Sequence, residues 1–144
     1  EFENLVLLKY VQHTADFSLT IVQECRGLIV DQHNDWRVIA YPYRKFFNYQ
    51  EPNAQPDKAK FDVDSLKVYE KLDGSLCTLW FYRGKWRISS VGSPNAGGPL
   101  NAKWTFSRLF WHVWHKHANY TLPKDEHRDK CFVFEMISKE HTIV

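Results

Sequence analysis

The sequence predicts an α+β fold built of antiparallel sheets with few helices. Three observations carry that prediction: short β-branched apolar runs outnumber helical patterns, they come in pairs across short polar breaks, and a single stretch repeats apolar residues at three- and four-residue steps. Runs paired in this way fit hairpins and antiparallel sheets better than a doubly wound parallel sheet. A chain of 144 residues, 44% apolar and 25% charged, is long enough for one domain with a real core. Its 10 Phe, 7 Tyr and 6 Trp exclude a wholly disordered, collagen-like or coiled-coil chain.

The first hairpin is predicted from Cys25 to Asp31 (CRGLIVD) and Trp36 to Tyr41 (WRVIAY), joined by the polar break Gln32-His33-Asn34-Asp35. Gln50 to Lys60 carries Pro52 and Pro56 among Asn, Asp and Gln, which removes backbone donors and core-forming side chains and predicts a surface loop. Leu66 to Glu70 reads as a strand leading into Lys71-Leu72-Asp73-Gly74-Ser75. A second hairpin follows, Leu76 to Tyr82 and Trp86 to Val91 around the turn Arg83-Gly84-Lys85. Ser93 to Gly98 (SPNAGG) predicts a flexible loop. Phe106, Leu109, Phe110, Val113 and Trp114 then place one amphipathic helix over Trp104 to His117. Pro123 to Lys130 is charged and loop-like, and Cys131 to Ile137 (CFVFEMI) returns to a strand with one acid embedded in it.

The formal net charge of +2 is too small to identify a nucleic-acid partner, although the chain carries seven His that add charge below neutral pH. Cys25, Cys77 and Cys131 are odd in number and form no C-x-x-C pair, so neither a disulfide framework nor a cysteine zinc site is suggested. No apolar run approaches the roughly 18 residues that span a bilayer, and EFENLVLLKY lacks the basic start of a secretory signal. The expectation is a soluble intracellular protein of cytoplasm or nucleus, without a membrane partner. The chain opens without Met and stops at Thr142-Ile143-Val144 inside what reads as a strand, so a fragment is expected.

The strongest local chemical signal is Lys71-Leu72-Asp73-Gly74-Ser75, a lysine amine beside a tight turn between two strands. Free lysine is almost wholly protonated at neutral pH, so a nucleophilic Lys71 needs desolvation or neighbouring positive charge, for which Arg26 and Lys45 are candidates. An ordinary surface turn is the competing reading of a bare K-x-D-G. Taken singly, Phe46 and Phe47 read as packing and Arg26 as a surface ion pair. Strand alternation sets Glu135 opposite Phe134 and Met136, so it faces either water or a polar site. His112 and His115 share a helical face, but no acid or cysteine stands at ligand spacing and a solvated or packed face is the better reading.

In order along the chain, Cys25-Arg26-Gly27-Leu28-Ile29, Arg44-Lys45-Phe46-Phe47-Asn48, the K-x-D-G of Lys71 to Gly74 and Phe132-Val133-Phe134-Glu135 together resemble the phage-type RNA ligase family, RNA ligase 1-like members of the ATP-dependent covalent nucleotidyltransferases. The resemblance implies a nucleotidyltransferase (ATP-grasp-like) adenylation domain, with residues 1–144 as its N-terminal part. It places adenylylation by ATP on Lys71 and nucleotide binding on Arg26, Lys45, Phe47, Asp73, Gly74 and Glu135. It further implies Mg²⁺ carried mainly by phosphate oxygens and water, and RNA 5′-phosphate and 3′-hydroxyl ends as partners. Arg44, Arg83, Lys85 and Arg87 are candidates to meet that RNA.

The family's next motif tends to carry a lysine before Gly-Ser, whereas Ser89-Ser90-Val91-Gly92-Ser93 has Val91 there. After Glu135 the family's Asn-Arg-Ile-Val-like end is His141-Thr142-Ile143-Val144 here, and the family's later acidic and lysine-bearing motifs fall beyond Val144. Two other readings therefore stand beside an RNA-sealing ligase: a nucleotide- or RNA-binding remnant without catalysis, and a related lysine nucleotidyltransferase acting as a DNA ligase or capping guanylyltransferase. The segments ahead of Lys71 favour the RNA branch over the last of these.

Overall fold

The computed structural model describes residues 2–49, 51–54, 63–116 and 120–141. Two antiparallel sheets of three strands each account for most of the regular structure. The first contains β1 (Leu5–Lys9), β2 (Arg26–Asp31) and β3 (Arg37–Ala40) in the order β1-β2-β3. The second contains β4 (Ser75–Tyr82), β5 (Lys85–Ser90) and β6 (Phe132–Met136) in the order β5-β4-β6. A short helix α1 (Thr20–Glu24) precedes β2, and the longer α2 (Phe106–Lys116) separates β5 from β6. The α+β class with antiparallel sheets is the one expected.

β4 is the central strand, and its alternation divides the core. Cys77 and Leu79 point to one side, where they pack with Ile88, Met136 and the α2 residues Leu109, Phe110 and Trp114. Trp80 and Tyr82 point to the other side, against Leu5, Ile29 and Ala40 of the first sheet. The result is three layers, first sheet, second sheet and helix, with β4 walled on both faces. A polar bond also joins the sheets: Tyr82 donates its hydroxyl to the buried Asp31 carboxylate at 2.8 Å.

Local chemistry sets the boundaries. Arg83 and Gly84 both take left-handed conformations (φ 48° and 79°), which is the two-residue turn that matches strand twist. Lys85 therefore already pairs with Tyr82 inside β5 and does not belong to the turn. Trp36, expected to open β3, is left-handed at φ 55°, so the strand starts one residue later. Helix α2 begins at Phe106, not Trp104, with Thr105 Oγ1 accepting the Arg108 amide at 3.2 Å. His117, the expected end of the helix, lies outside the described residues, as do Gln50, Gln55 to Lys60 of the expected loop and the expected terminal strand at Thr142 to Val144.

Three further expectations are corrected. Leu66 to Glu70 joins neither sheet, and Val68 and Tyr69 are 91% and 78% exposed, because an apolar run forms a strand only where an edge is available to pair with it. The Ser93–Gly98 loop, expected to be flexible, is packed onto the core: Ala96 is fully buried and its carbonyl accepts the Ser107 amide at 2.8 Å. Pro123 to Lys130 includes a short 3-10 turn at Asp125–His127. The strand β1 and the helix α1 are additions to the predicted elements. No helix among the described residues is long and apolar enough to cross a membrane.

Candidate active site

The K-x-D-G turn enters β4 at the end where β4 meets β6. Gly74, its last residue, lies against β6 so closely that a Cβ would stand 2.5 Å from the Met136 carbonyl oxygen. Its amide donates to Glu135 Oε1 at 3.0 Å. The embedded acid of β6 is half-buried, and it anchors the turn that carries Lys71. Across 61 positions of sequence, two of the candidate segments form one constellation. The glycine's tight neighbour here is the β6 backbone, which gives it a packing reason independent of any ligand.

Lys71 itself is exposed. Its Nζ donates to Asp73 Oδ1 at 2.8 Å, with the two side chains 77% and 78% accessible. The hydrogen bond and charge of Asp73 raise the Lys71 pKa above the ordinary lysine value, and Glu135 adds in the same direction. Arg26 opposes them, as expected of a neighbouring cation, but it is outweighed. Lys45 is not among the groups that shift it. The expectation of an amine depressed by neighbouring positive charge is therefore corrected: in this structure Lys71 is an ammonium held by a carboxylate. Asp73 responds in kind, its carboxyl lowered first by the Lys71 hydrogen bond.

Arg26 opens β2, and the residue after it explains its orientation. Gly27 is left-handed at φ 90°, and the β1–β2 register slips there, from Leu8 opposite Leu28 to Lys9 opposite Arg26. This is a bulge of the kind glycine permits, and it re-aims the neighbouring side chain. The Arg26 guanidinium lies 4.6 Å over the Phe46 ring, and its Nη1 is buried with no hydrogen-bond partner. Lys45 also packs on rings, its Nζ 5.1 Å from the Phe47 ring centre and 5.5 Å from that of Phe17. Phe47 meets Phe17 edge-to-face at 5.9 Å. Arg44, Lys45, Phe46 and Phe47 line an open cavity of about 640 Å³. Aromatic faces, not carboxylates, back Arg26 and Lys45.

The structure thus brings together Gly74 with Glu135, Lys71 with Asp73, Arg26 with Phe46 and Lys45 with Phe47, while Lys71 feels Glu135 and Arg26 through space. Phe17, beside Lys45 and Phe47, and Lys9, opposite Arg26 across the ladder, stand next to these candidates and lie outside the sequence motifs. Of the four basic residues expected to meet RNA, Arg87 is excluded: it is buried, donates its Nε to the Tyr82 carbonyl at 3.2 Å and lies over Phe2. His112 packs on Trp104 with ring centres 4.7 Å apart, and among the described residues no three His, Cys, Asp or Glu side chains gather as metal ligands. With Asp73 engaged by Lys71 and a Glu135 oxygen by an amide, this donor set does not fit a protein-held Mg²⁺ cage.

Residues 24–144 match the sequence profile of a family described as RNA ligase. The chain is 31% identical over 152 residues to a protein of Autographa californica nuclear polyhedrosis virus whose provisional name joins polynucleotide kinase with RNA ligase, covering 98% of this chain and 22% of that one. It is 29% identical over 147 residues to the RNA ligase of Rhodothermus phage RM378, covering 83% of this chain and 33% of the relative. It is 39% identical over 98 residues to RNA ligase 1 of Bacteriophage TS2126, covering 65% of this chain and 25% of the relative. The chain therefore spans about a fifth to a third of the length of these relatives. No solved structure matches it significantly.

Proposed function

The chain belongs to the RNA ligase family, and from that premise we propose that it forms the lysine-bearing part of an ATP-dependent adenylation site that serves the sealing of RNA ends. The observation that carries this reading is the Gly74 amide donated to Glu135, which locks the K-x-D-G turn onto the acid-bearing strand. Arg26, backed by Phe46, and Lys45, backed by Phe47, supply cation-aromatic pairs suited to a nucleotide, whose phosphates want charge and whose base wants a flat face.

In this mechanism the Lys71 amine, once free of its proton and of Asp73, attacks the α-phosphorus of ATP. A P–N bond forms, the bond to the β-phosphate oxygen breaks, and pyrophosphate leaves with the electron pair. The AMP so held passes to an RNA 5′-phosphate, and a 3′-hydroxyl then displaces AMP to close the strand. The protein's part is positioning and charge neutralisation, which dominate phosphoryl transfer. Mg²⁺ belongs to the phosphates of the nucleotide in this reading.

Incubation with ATP labelled at the α-phosphate tests the proposal. A covalent mass increment of one AMP on the wild-type protein and none on Lys71→Ala is expected; equal labelling of the variant overturns the assignment. One observation favours a competing reading, a binding module without catalysis: Lys71 is exposed and held protonated by Asp73. Failure of the wild type to label while it binds ATP supports that module instead.

A further inference from the structure

The geometry points to Lys9 as a phosphate-binding residue that supplies, from β1, the positive charge which Val91 cannot provide; the inference rests on the adenylation-site reading above. Lys9 stands opposite Arg26 across the β1–β2 ladder, at the step where the Gly27 bulge shifts the register. Both line a cavity of about 580 Å³ that also reaches Val91. Where the chain turns after Val91, a Cβ at Gly92 would stand only 3.8 Å from the Lys9 ammonium nitrogen. The Lys9 charge thus lies beside the backbone at which the resemblance expects a lysine.

Two features mark this as a place for an anion. Like charges set directly opposite each other across a ladder destabilise a sheet, and neither Lys9 nor Arg26 makes an ion pair with any described residue. In addition, Arg26 Nη1 is buried without a hydrogen-bond partner, a donor left unmatched where unmatched donors are costly. A phosphate between Lys9 and Arg26 offsets the facing charges, and with the guanidinium turned from Phe46 toward the cavity it accepts from a guanidinium fork and an ammonium together. The group comes either from the polyphosphate tail of ATP or from the 5′ end of RNA.

Titration calorimetry with pyrophosphate, ATP, AMP, and matched 5′-phosphorylated and 5′-hydroxyl oligoribonucleotides tests this. If the tail is the ligand, Lys9→Met weakens pyrophosphate and ATP about tenfold, about 1.4 kcal/mol, and leaves AMP unchanged. If the RNA end is the ligand, the same loss is confined to the phosphorylated oligonucleotide. In either case Val91→Lys added to Lys9→Met restores most of the affinity, which a merely structural role for Lys9 does not predict. Affinities within twofold of wild type for every phosphate, a wild type that binds none of them, or a double variant as weak as Lys9→Met overturns the inference. A wild type that fails to label at Lys71 while the Lys9 effect is intact would refute the catalytic reading alone.

Discussion

Gly74→Ala separates a packing reason for the glycine of K-x-D-G from a ligand-binding one. The added Cβ would stand 2.5 Å from the Met136 carbonyl oxygen, 3.0 Å from its carbonyl carbon and 3.1 Å from Ile137 Cγ1. Ordinary contact begins near 3.4 Å, so β6 must retreat from the 2.5 Å position by about 0.9 Å. The obstacle is backbone paired with β4, Ser75 opposite Met136, and cannot rotate aside as a side chain could. Overpacking of this kind costs about 1–3 kcal/mol. The same retreat stretches the 3.0 Å bond from the Gly74 amide to Glu135, a charged acceptor, whose loss costs about 1.5–3 kcal/mol. Because one movement relieves part of the strain by breaking the bond, about 2–4 kcal/mol is expected in place of the sum. Urea denaturation of the ligand-free protein measures it, with a fall in Tm of about 3–5 °C per kcal/mol as a second readout. A loss below about 0.5 kcal/mol with adenylylation abolished would refute the packing account and return the glycine to the nucleotide.

Asp73→Asn removes the largest cause that raises the Lys71 pKa. In the proposed mechanism the neutral amine attacks, so a lower pKa moves the rising limb of the labelling-rate profile to lower pH; an unmoved or alkaline-shifted limb would show that Asp73 does not govern the lysine. Tyr82→Phe deletes the 2.8 Å bond to the buried Asp31 and is expected to cost about 1.5–3 kcal/mol by denaturant titration. The Tyr82 pKa is raised by burial and then by Asp31, so its contribution is fully present below the ordinary tyrosine pKa of about 10 and is lost as pH rises through the folded value. The stability gap between wild type and Tyr82→Phe should therefore narrow above about pH 10; a gap that widens there sinks the assignment.

Both hairpins and α2 were legible because their determinants are local: alternating residues around Arg83-Gly84, and apolar steps from Phe106 to Trp114. Helix α1 was not, since its five residues bury nothing and its N-cap Leu19 makes no side-chain bond. β1 exists by pairing with a strand well downstream, whereas Leu66 to Glu70, which is less apolar, pairs with neither sheet. The site divides along the same line. The Lys71–Asp73 pair is two positions apart and follows from the tetrapeptide, whereas the Gly74–Glu135 bond and the facing of Lys9 to Arg26 depend on register across a ladder. A bulge at one glycine sets the latter.

The charges around the candidate nucleophile are segregated: carboxylates stand beside Lys71, while Arg26 and Lys45 rest on aromatic rings. Exposure of Lys71 conflicts with nucleophilic use only if the resting state must already be reactive. A buried lysine-carboxylate pair would resist separation strongly, because each charge left alone in a low-dielectric interior is severely penalised. An exposed pair two residues apart on a turn parts at little cost, since water solvates both members. Burial then has to come with the ligand: a nucleotide laid over Lys71 strips its water, and desolvation is an influence on this lysine that already acts to lower its pKa. In the proposed mechanism the resting ion pair stores the amine in an unreactive form, and substrate binding supplies the desolvation that releases it.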